Sequence, residues 1–174
     1  TWLLDGEVLH RDSLGSVALA RPGTLNLMTA GRGIAHSEET PGSHSGRLEG
    51  VQLWVALPDA DRDVEPSFEH HPEVPAVQLP GATARLVLGE MAGRRSPGRT
   101  FSPIVGADVA VEAGASANLP LAPRFEHALV VLRGEAEVEG AALAPGALLY
   151  LGTGRSSLRL RPAGGHPARV LLLG

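Results

Sequence analysis

The hexapeptide LLDGEV at residues 3–8 recurs in altered form as VLRGEA at residues 131–136. A second pair of segments follows in the same order, ARPGTLNLM at residues 20–28 and LAPGALLYL at residues 143–151. Each copy therefore contains a strand, a Gly-Glu turn, a strand, a Pro-Gly turn and a further strand. The second copy is shorter between these landmarks, where the first copy has the polar turn RDSLGS. The repeat predicts a duplicated small β-barrel.

The apolar segments around the repeat also favour β-structure. They are short and are separated by Gly, Pro, Asp and Ser, a pattern typical of antiparallel strands. Residues 51–57, VQLWVAL, alternate in the manner of a half-buried strand, and residues 84–89 and 108–112 have the same pattern. We therefore expect strands in all three segments and an all-β fold built as a barrel or sandwich.

Composition excludes several classes of protein. The chain has 174 residues, a net charge of −4 and no cysteine. The acidic balance argues against direct nucleic-acid binding through bulk charge, and the absence of cysteine excludes disulfides and thiolate chemistry. No apolar run approaches the roughly 18 to 20 residues of a membrane span, and no signal peptide is recognisable. We expect a cytoplasmic protein without membrane contact.

The ends and the middle of the chain predict its organisation. The chain opens with TWLL in the middle of a strand pattern and ends with VLLLG, a buried-strand pattern that stops at a turn residue, which favours a piece of a longer protein. Residues 1–58 are expected to form an N-terminal barrel and residues 81–174 a second barrel. Residues 59–80 are rich in Pro, Asp and Glu and are expected to form an exposed connection.

One short motif combines residue types that bind metal ions. The glycine-rich turn at residues 29–34 leads into Ala35-His36-Ser37-Glu38. Residues two apart on a strand share a face, so His36 and Glu38 are expected to point into the barrel together. An inward carboxylate is costly unless it is paired or bound to a cation, and imidazole with carboxylate is half of a mixed nitrogen and oxygen metal site. On spacing alone, a chance His-x-Glu pair on a surface strand is about as likely as a pair of metal ligands.

Three segments together resemble the pirin family. They are GEVLHRDSLGS at residues 6–16, RPGTLNLMTAGRGIAHSEE at residues 21–39 and VQLWVALP at residues 51–58. The resemblance extends over nearly the whole chain and implies a bicupin, two antiparallel β-barrels of the double-stranded β-helix type packed together. Pirins bind one metal ion, usually iron, in the N-terminal barrel through three histidines and one glutamate.

The resemblance implies that His36 and Glu38 are two of these four ligands and that Glu38 also acts in catalysis. The other two ligands of the family belong to a His-x-His segment just upstream of the strand that begins here at Thr1. No His-x-His occurs in these 174 residues. We therefore expect one Fe(II) or another divalent metal per intact chain, and weak or no iron binding by this segment alone.

The remaining histidines are weaker candidates for metal ligands. We expect a structural or hydrogen-bonding role for His10, a solvated loop around His44 and a turn around His166. The run FEHHPE at residues 68–73 is expected to be a solvated loop, because adjacent side chains point in different directions. His127 has no His-x-His before it, and neither His nor Glu follows in residues 152–157, so the second barrel is expected to be metal-free.

The resemblance implies two functions of different classes. One is an iron-dependent dioxygenase that acts on flavonols such as quercetin, a quercetin 2,3-dioxygenase-like activity. The other is a non-enzymatic, iron-dependent redox sensor that binds a transcription factor or a metabolic enzyme. A bicupin without metal is a third interpretation for this segment. The sequence leaves open the choice between enzyme and regulator, and with it the choice between a small aromatic substrate and a protein partner.

Overall fold

The computed structural model describes residues 1–174 and contains eighteen β-strands and one 3₁₀ turn at Asp59–Asp61. The first seven strands are β1 (Trp2–Asp5), β2 (Val8–Asp12), β3 (Val17–Ala20), β4 (Leu25–Thr29), β5 (His36–Glu39), β6 (Glu49–Val51) and β7 (Ser67–His71). The next five are β8 (Ala76–Leu79), β9 (Ala82–Met91), β10 (Arg94–Arg95), β11 (Val105–Val111) and β12 (Ala117–Pro120). The last six are β13 (His127–Arg133), β14 (Ala136–Val138), β15 (Ala141–Leu143), β16 (Leu148–Gly152), β17 (Ser157–Pro162) and β18 (Ala168–Leu173). No helix has the length and apolarity needed to cross a membrane.

The chain forms two compact units. The first comprises Thr1–Val74 with Pro97–Ser102, and the second comprises Pro75–Ser96 with Pro103–Gly174. Within the first unit, the strands pair in the orders β1-β6, β3-β2-β5 and β4-β7. A small apolar cluster of this unit contains Leu3, Val8 and Ala20.

The second unit carries a large aliphatic core. One sheet has seven strands, with β10-β9-β11-β18-β13-β16 in order and β8 beside β9, and the other has the order β12-β17-β14-β15. Side chains from both sheets meet in a core that contains Leu119, Leu129, Leu158 and Leu172, none of them exposed to solvent. The burial of one such side chain stabilises the folded state by about 1.5–3 kcal/mol.

Strands β1–β6 correspond in order to β13–β18. The order β3-β2-β5 is repeated as β15-β14-β17, and the pair β1-β6 is repeated as β13-β18. Even the local irregularity is repeated, since the register shifts between Leu3 and Asp5 in the first copy and between Val131 and Arg133 in the second. The duplication predicted from the sequence is confirmed.

The repeated Gly-Glu turn has a physical reason. Gly6 has φ +83° and Gly134 has φ +69°, both in the left-handed region that favours glycine. A Cβ atom on Gly6 would lie 2.3 Å from the Arg47 carbonyl oxygen, and one on Gly134 would lie 2.3 Å from the Pro167 carbonyl oxygen. Both turns therefore require glycine for conformation and for space, which explains why they are the landmarks of the repeat.

Two of the three expected strands are confirmed and the third is wrong. Residues 84–89 lie in β9 and residues 108–111 lie in β11, whereas residues 52–57 have no regular structure and Trp54 is 94% exposed. An alternating pattern forms a strand only where a neighbour supplies hydrogen bonds. Here the β1–β6 ladder ends where Trp2 pairs with Val51.

Residues 59–80 contain strands where an exposed connection was expected. Strand β7 pairs with β4 in the first unit, and strand β8 pairs with β9 in the second. The chain divides between units within this segment, after Val74. The expectation for FEHHPE is therefore wrong for residues 68–71, because the backbone of β4 provides partners that the polar composition of the segment does not reveal.

Candidate metal centre

Strand β5 carries the His-x-Glu motif and pairs antiparallel with β2. In this ladder His10 lies opposite Glu38, and Asp12 lies opposite His36. Directly opposed residues of an antiparallel pair project from the same face, and so do residues two apart on a strand. All four side chains therefore share one face of the β2–β5 pair.

The Glu38 carboxylate is held at both oxygens. The Thr1 hydroxyl donates to Oε1 at 3.1 Å, and the Gln52 side-chain amide donates from Nε2 to Oε2 at 3.2 Å. The carboxylate stays accessible, because Glu38 is exposed. Two donors from separate segments thus fix its orientation without covering it.

The second copy shows which face of the strand this is. His10 pairs with Glu38 in the first copy as Val138 pairs with Leu160 in the second, so Glu38 corresponds to Leu160. Two residues earlier on the same strand, His36 corresponds to Leu158. Both leucines are fully buried in the core of the second unit. The motif therefore occupies the face that is the interior of the barrel in the second unit.

The two residues that hold Glu38 also replace core leucines. Leu3 pairs with Gly50 in the first copy, and Val131 pairs with Val170 at the same place in the second. Two residues before Leu3, Thr1 therefore corresponds to Leu129. Two residues after Gly50, Gln52 corresponds to Leu172. Leu129 and Leu172 are both completely buried. A polar cluster of Thr1, His36, Glu38 and Gln52 thus stands where the second unit has an aliphatic core.

The motif is open to solvent. His36 and Glu38 were expected to point into the barrel; they lie on the face that corresponds to its interior, and both are exposed. Their donor types still suit a borderline divalent metal, since neutral imidazole and carboxylate form mixed sites with zinc, iron, nickel or copper. No cluster of three or more His, Cys, Asp or Glu side chains is arranged to hold a metal ion.

His10 is buried beside the motif, with 2% of its surface exposed. Its Nε2 lies 3.1 Å from Asp12 Oδ2, in agreement with the hydrogen-bonding role expected from the sequence. Burial would raise the pKa of Asp12, but hydrogen bonds from His10 and from the backbone beyond β2 outweigh burial and lower it to about 2. Asp12 is therefore ionised at neutral pH and accepts the Nε2–H of His10.

Three of the other histidines have hydrogen-bond partners outside the motif. His44 and His166 are exposed, and the Gly46 amide donates to His44 Nδ1 at 3.1 Å. In β7 the adjacent histidines point apart, His70 toward Asn26 at 2.7 Å and His71 toward Glu69 at 2.9 Å. His44, His70 and His71 thus have partners close to them on the chain or on a paired strand.

His127 is the buried histidine of the second unit. It is 1% exposed and neither ring nitrogen has a hydrogen-bond partner. Burial lowers its pKa, so the ring is neutral. Its closest ring contact is Phe125, with centroids 6.1 Å apart.

Comparisons with known proteins identify the family of the chain. The family model described as Pirin matches residues 1–55, and the model described as Pirin C-terminal cupin domain matches residues 106–174. A Pseudomonas aeruginosa protein named "Putative quercetin 2,3-dioxygenase" is 49% identical over all of this chain, which covers 54% of that protein. A Caulobacter vibrioides pirin-like protein is 40% identical over 96% of the chain and 62% of its own length. The chain belongs to the pirin family.

Solved structures agree with this assignment to the pirins. The crystal structure of quercetin 2,3-dioxygenase from Acinetobacter baumannii superposes with a TM-score of 0.92 at 38% identity, over 99% of this chain and 56% of that one. The all-β bicupin architecture expected from the sequence is therefore confirmed. The pirin chain described here spans 54% and 62% of the lengths of these two curated relatives.

Four residues beside the motif were not singled out in the sequence, namely Thr1, Asp12, Gln52 and Phe68. Thr1 and Gln52 are ordinary polar residues at the edges of apolar segments. Only their alignment with the core leucines of the second copy marks them as unusual. Phe68 lies in a segment that was expected to be a loop.

Proposed function

We propose that the full-length protein is an iron-dependent dioxygenase that acts on flavonols such as quercetin. The observation that carries the proposal is the polar face of the first unit. His36 and an oriented Glu38 carboxylate stand on it at positions that the second unit fills with Leu158 and Leu160. The names of the relatives in Pseudomonas aeruginosa and Acinetobacter baumannii support the substrate class.

In this proposal His36 and Glu38 are two ligands of one iron ion in the first unit. When bound, iron supplies Lewis-acid polarisation of a substrate oxygen and redox chemistry with dioxygen. The first unit places the imidazole and the carboxylate side by side on a strand whose backbone is fixed by β2. Both side chains are exposed, so a planar aromatic substrate can reach them.

Glu38 has a second role, as acceptor of the proton of the flavonol hydroxyl. Thr1 and Gln52 hold its two oxygens, so the carboxylate does not have to reorient when the substrate binds. A positioned base within hydrogen-bond reach contributes about 10²–10⁴-fold to a rate. Its two fixed oxygens can divide the tasks of ligand and base.

Oxygen uptake with quercetin tests the proposed function. Iron-loaded full-length protein is compared with its His36→Ala variant and with metal-stripped protein. We expect uptake by the first sample, and a loss of at least about 100-fold in the other two, since the loss of one ligand removes the metal. The matched control is His44→Ala, which removes an exposed histidine outside the motif and keeps full uptake. Equal, negligible uptake in all samples would favour the iron-dependent regulator instead.

A further inference from the structure

His10 lies beside the proposed metal ligands and has no role in the proposed function so far. It is opposite Glu38 in the β2–β5 ladder and shares the face of His36. With 2% of its surface exposed, it is the buried histidine of the first unit, whereas His36 and Glu38 are exposed. The His10 side chain therefore lies behind the motif, on the protein side.

The ring of His10 connects the motif to the aromatic packing of the unit. It stacks on Phe68 with centroids 4.1 Å apart and planes inclined by 6°. It also stacks on His36 with centroids 5.6 Å apart and planes inclined by 22°. The His36 imidazole, exposed on one side, thus has a buried ring parallel to it.

Asp12 fixes the His10 ring in its plane. Its Oδ2 accepts from His10 Nε2, while its Oδ1 accepts from the Leu14 and Ser16 amides at 2.9 and 3.0 Å. The Asp12 side chain has no exposed surface. The turn after β2 therefore holds the carboxylate, and the carboxylate holds the ring.

The second copy shows that packing alone does not require these residues. Val138 occupies the position of His10, is fully buried and leaves the corresponding strand pairing intact. The position of Asp12 corresponds to Gly140, where the hairpin is shorter. Burying an imidazole and a carboxylate costs more desolvation free energy than burying a valine. We therefore ascribe the His10–Asp12 pair to the polar motif beside it and not to core packing.

We propose that His10, held by Asp12, is a positioning residue that orients the His36 ring for metal binding. The inference rests on the proposed metal site. We assign His10 no ligand role, since its Nε2 is directed at Asp12 and the residue is 2% exposed. Groups that orient a ligating histidine change metal affinity by about 10–100-fold when removed.

Cobalt(II) binding by the metal-stripped full-length protein tests the inference. His10→Val copies the residue of the second unit, and His127→Val is the matched control, since it removes a buried histidine far along the chain. We expect His10→Val to weaken cobalt(II) binding about 10-fold and to shift the visible absorption bands of the bound ion. Its unfolding midpoint without metal should stay near that of the parent protein. His10→Phe, which keeps a ring against His36, should recover part of the affinity.

The outcomes separate this inference from the function it rests on. Wild-type affinity and an unchanged cobalt spectrum in His10→Val overturn the positioning role, provided that His36→Ala loses the metal. Loss of binding in His10→Val as complete as in His36→Ala also overturns it, because His10 would then be a ligand. Unchanged binding in His36→Ala contradicts the metal site itself. If His10→Val does not fold, Asp12→Asn replaces it, since the amide oxygen still accepts from the turn and only the bond to His10 is altered. Weaker cobalt(II) binding and shifted absorption bands in Asp12→Asn support the inference.

Discussion

At the scale of single residues, the two copies of the fold differ by a few exchanges between apolar and polar side chains. Val138 and Leu160 meet across a ladder in the second unit, and His10 and Glu38 meet at the same place in the first. His10 is hydrogen-bonded to Asp12, and Glu38 accepts from Thr1 and Gln52, as buried or oriented polar groups require. The strongest of these local effects is at Asp12, whose pKa is lowered to about 2.

The lowered pKa of Asp12 predicts a dependence of stability on pH. A carboxyl with a folded-state pKa of about 2 and an ordinary value of 3.8 stabilises the folded state above the ordinary value and loses this contribution as the pH falls toward 2. Wild type should therefore be more stable than Asp12→Asn at about pH 6. The difference in their free energies of unfolding should close as the pH falls from 3.8 to about 2. Urea unfolding at a series of pH values measures it.

The control for Asp12 is Asp63→Asn, which removes an exposed carboxylate beside Arg62. The free energy of unfolding of this variant should differ little from that of wild type at every pH, because exposed ion pairs contribute about 0–1 kcal/mol. A difference for Asp12→Asn that persists at about pH 2, or is already absent at about pH 6, would contradict the linkage.

At the scale of elements, β5 and β17 are the same strand used in two ways. Strand β17 places Leu158 and Leu160 in the core, whereas β5 places His36 and Glu38 at an exposed polar face. Both strands pair with the hairpin that follows the Gly-Glu turn, so the backbone hydrogen bonds are alike. The strand position is structural in one unit and is available for chemistry in the other.

Matched substitutions in β5 and β17 should have unequal effects on stability. Leu160→Ala removes a fully buried side chain and should cost about 2–5 kcal/mol. Glu38→Ala, at the corresponding place, removes an exposed side chain and should cost about 0.5 kcal/mol in metal-free protein. Guanidinium unfolding of the two variants gives the comparison. Equal losses would show that β5 packs as β17 does.

At the scale of the whole molecule, the two copies place different side chains on corresponding strand faces. The second unit has an aliphatic core across both sheets, and its buried His127 has no acidic or histidine partner in a metal-binding cluster. The first unit has the His-x-Glu motif on the corresponding face. From this division we expect at most one metal ion per chain, in the first unit.

Metal content tests this division. Elemental analysis of full-length protein grown with iron should give at most one metal per chain, and His127→Ala should not change the value. His36→Ala should lower it to near zero, because the remaining ligands bind a divalent ion weakly. Two metals per chain, with one lost in His127→Ala, would place a second site in the second unit.

The sequence alone determined the duplication, the turns at Gly6 and Gly134 and the shared face of His36 and Glu38. These features depend on residues close along the chain, where turn conformation and the two-residue period of a strand act locally. The tertiary structure alone decided that residues 52–57 form no strand, that β7 pairs with β4, and that Thr1 and Gln52 hold the Glu38 carboxylate. Strand pairing and side-chain contacts join segments far apart in sequence, and each segment's own composition does not name its partner.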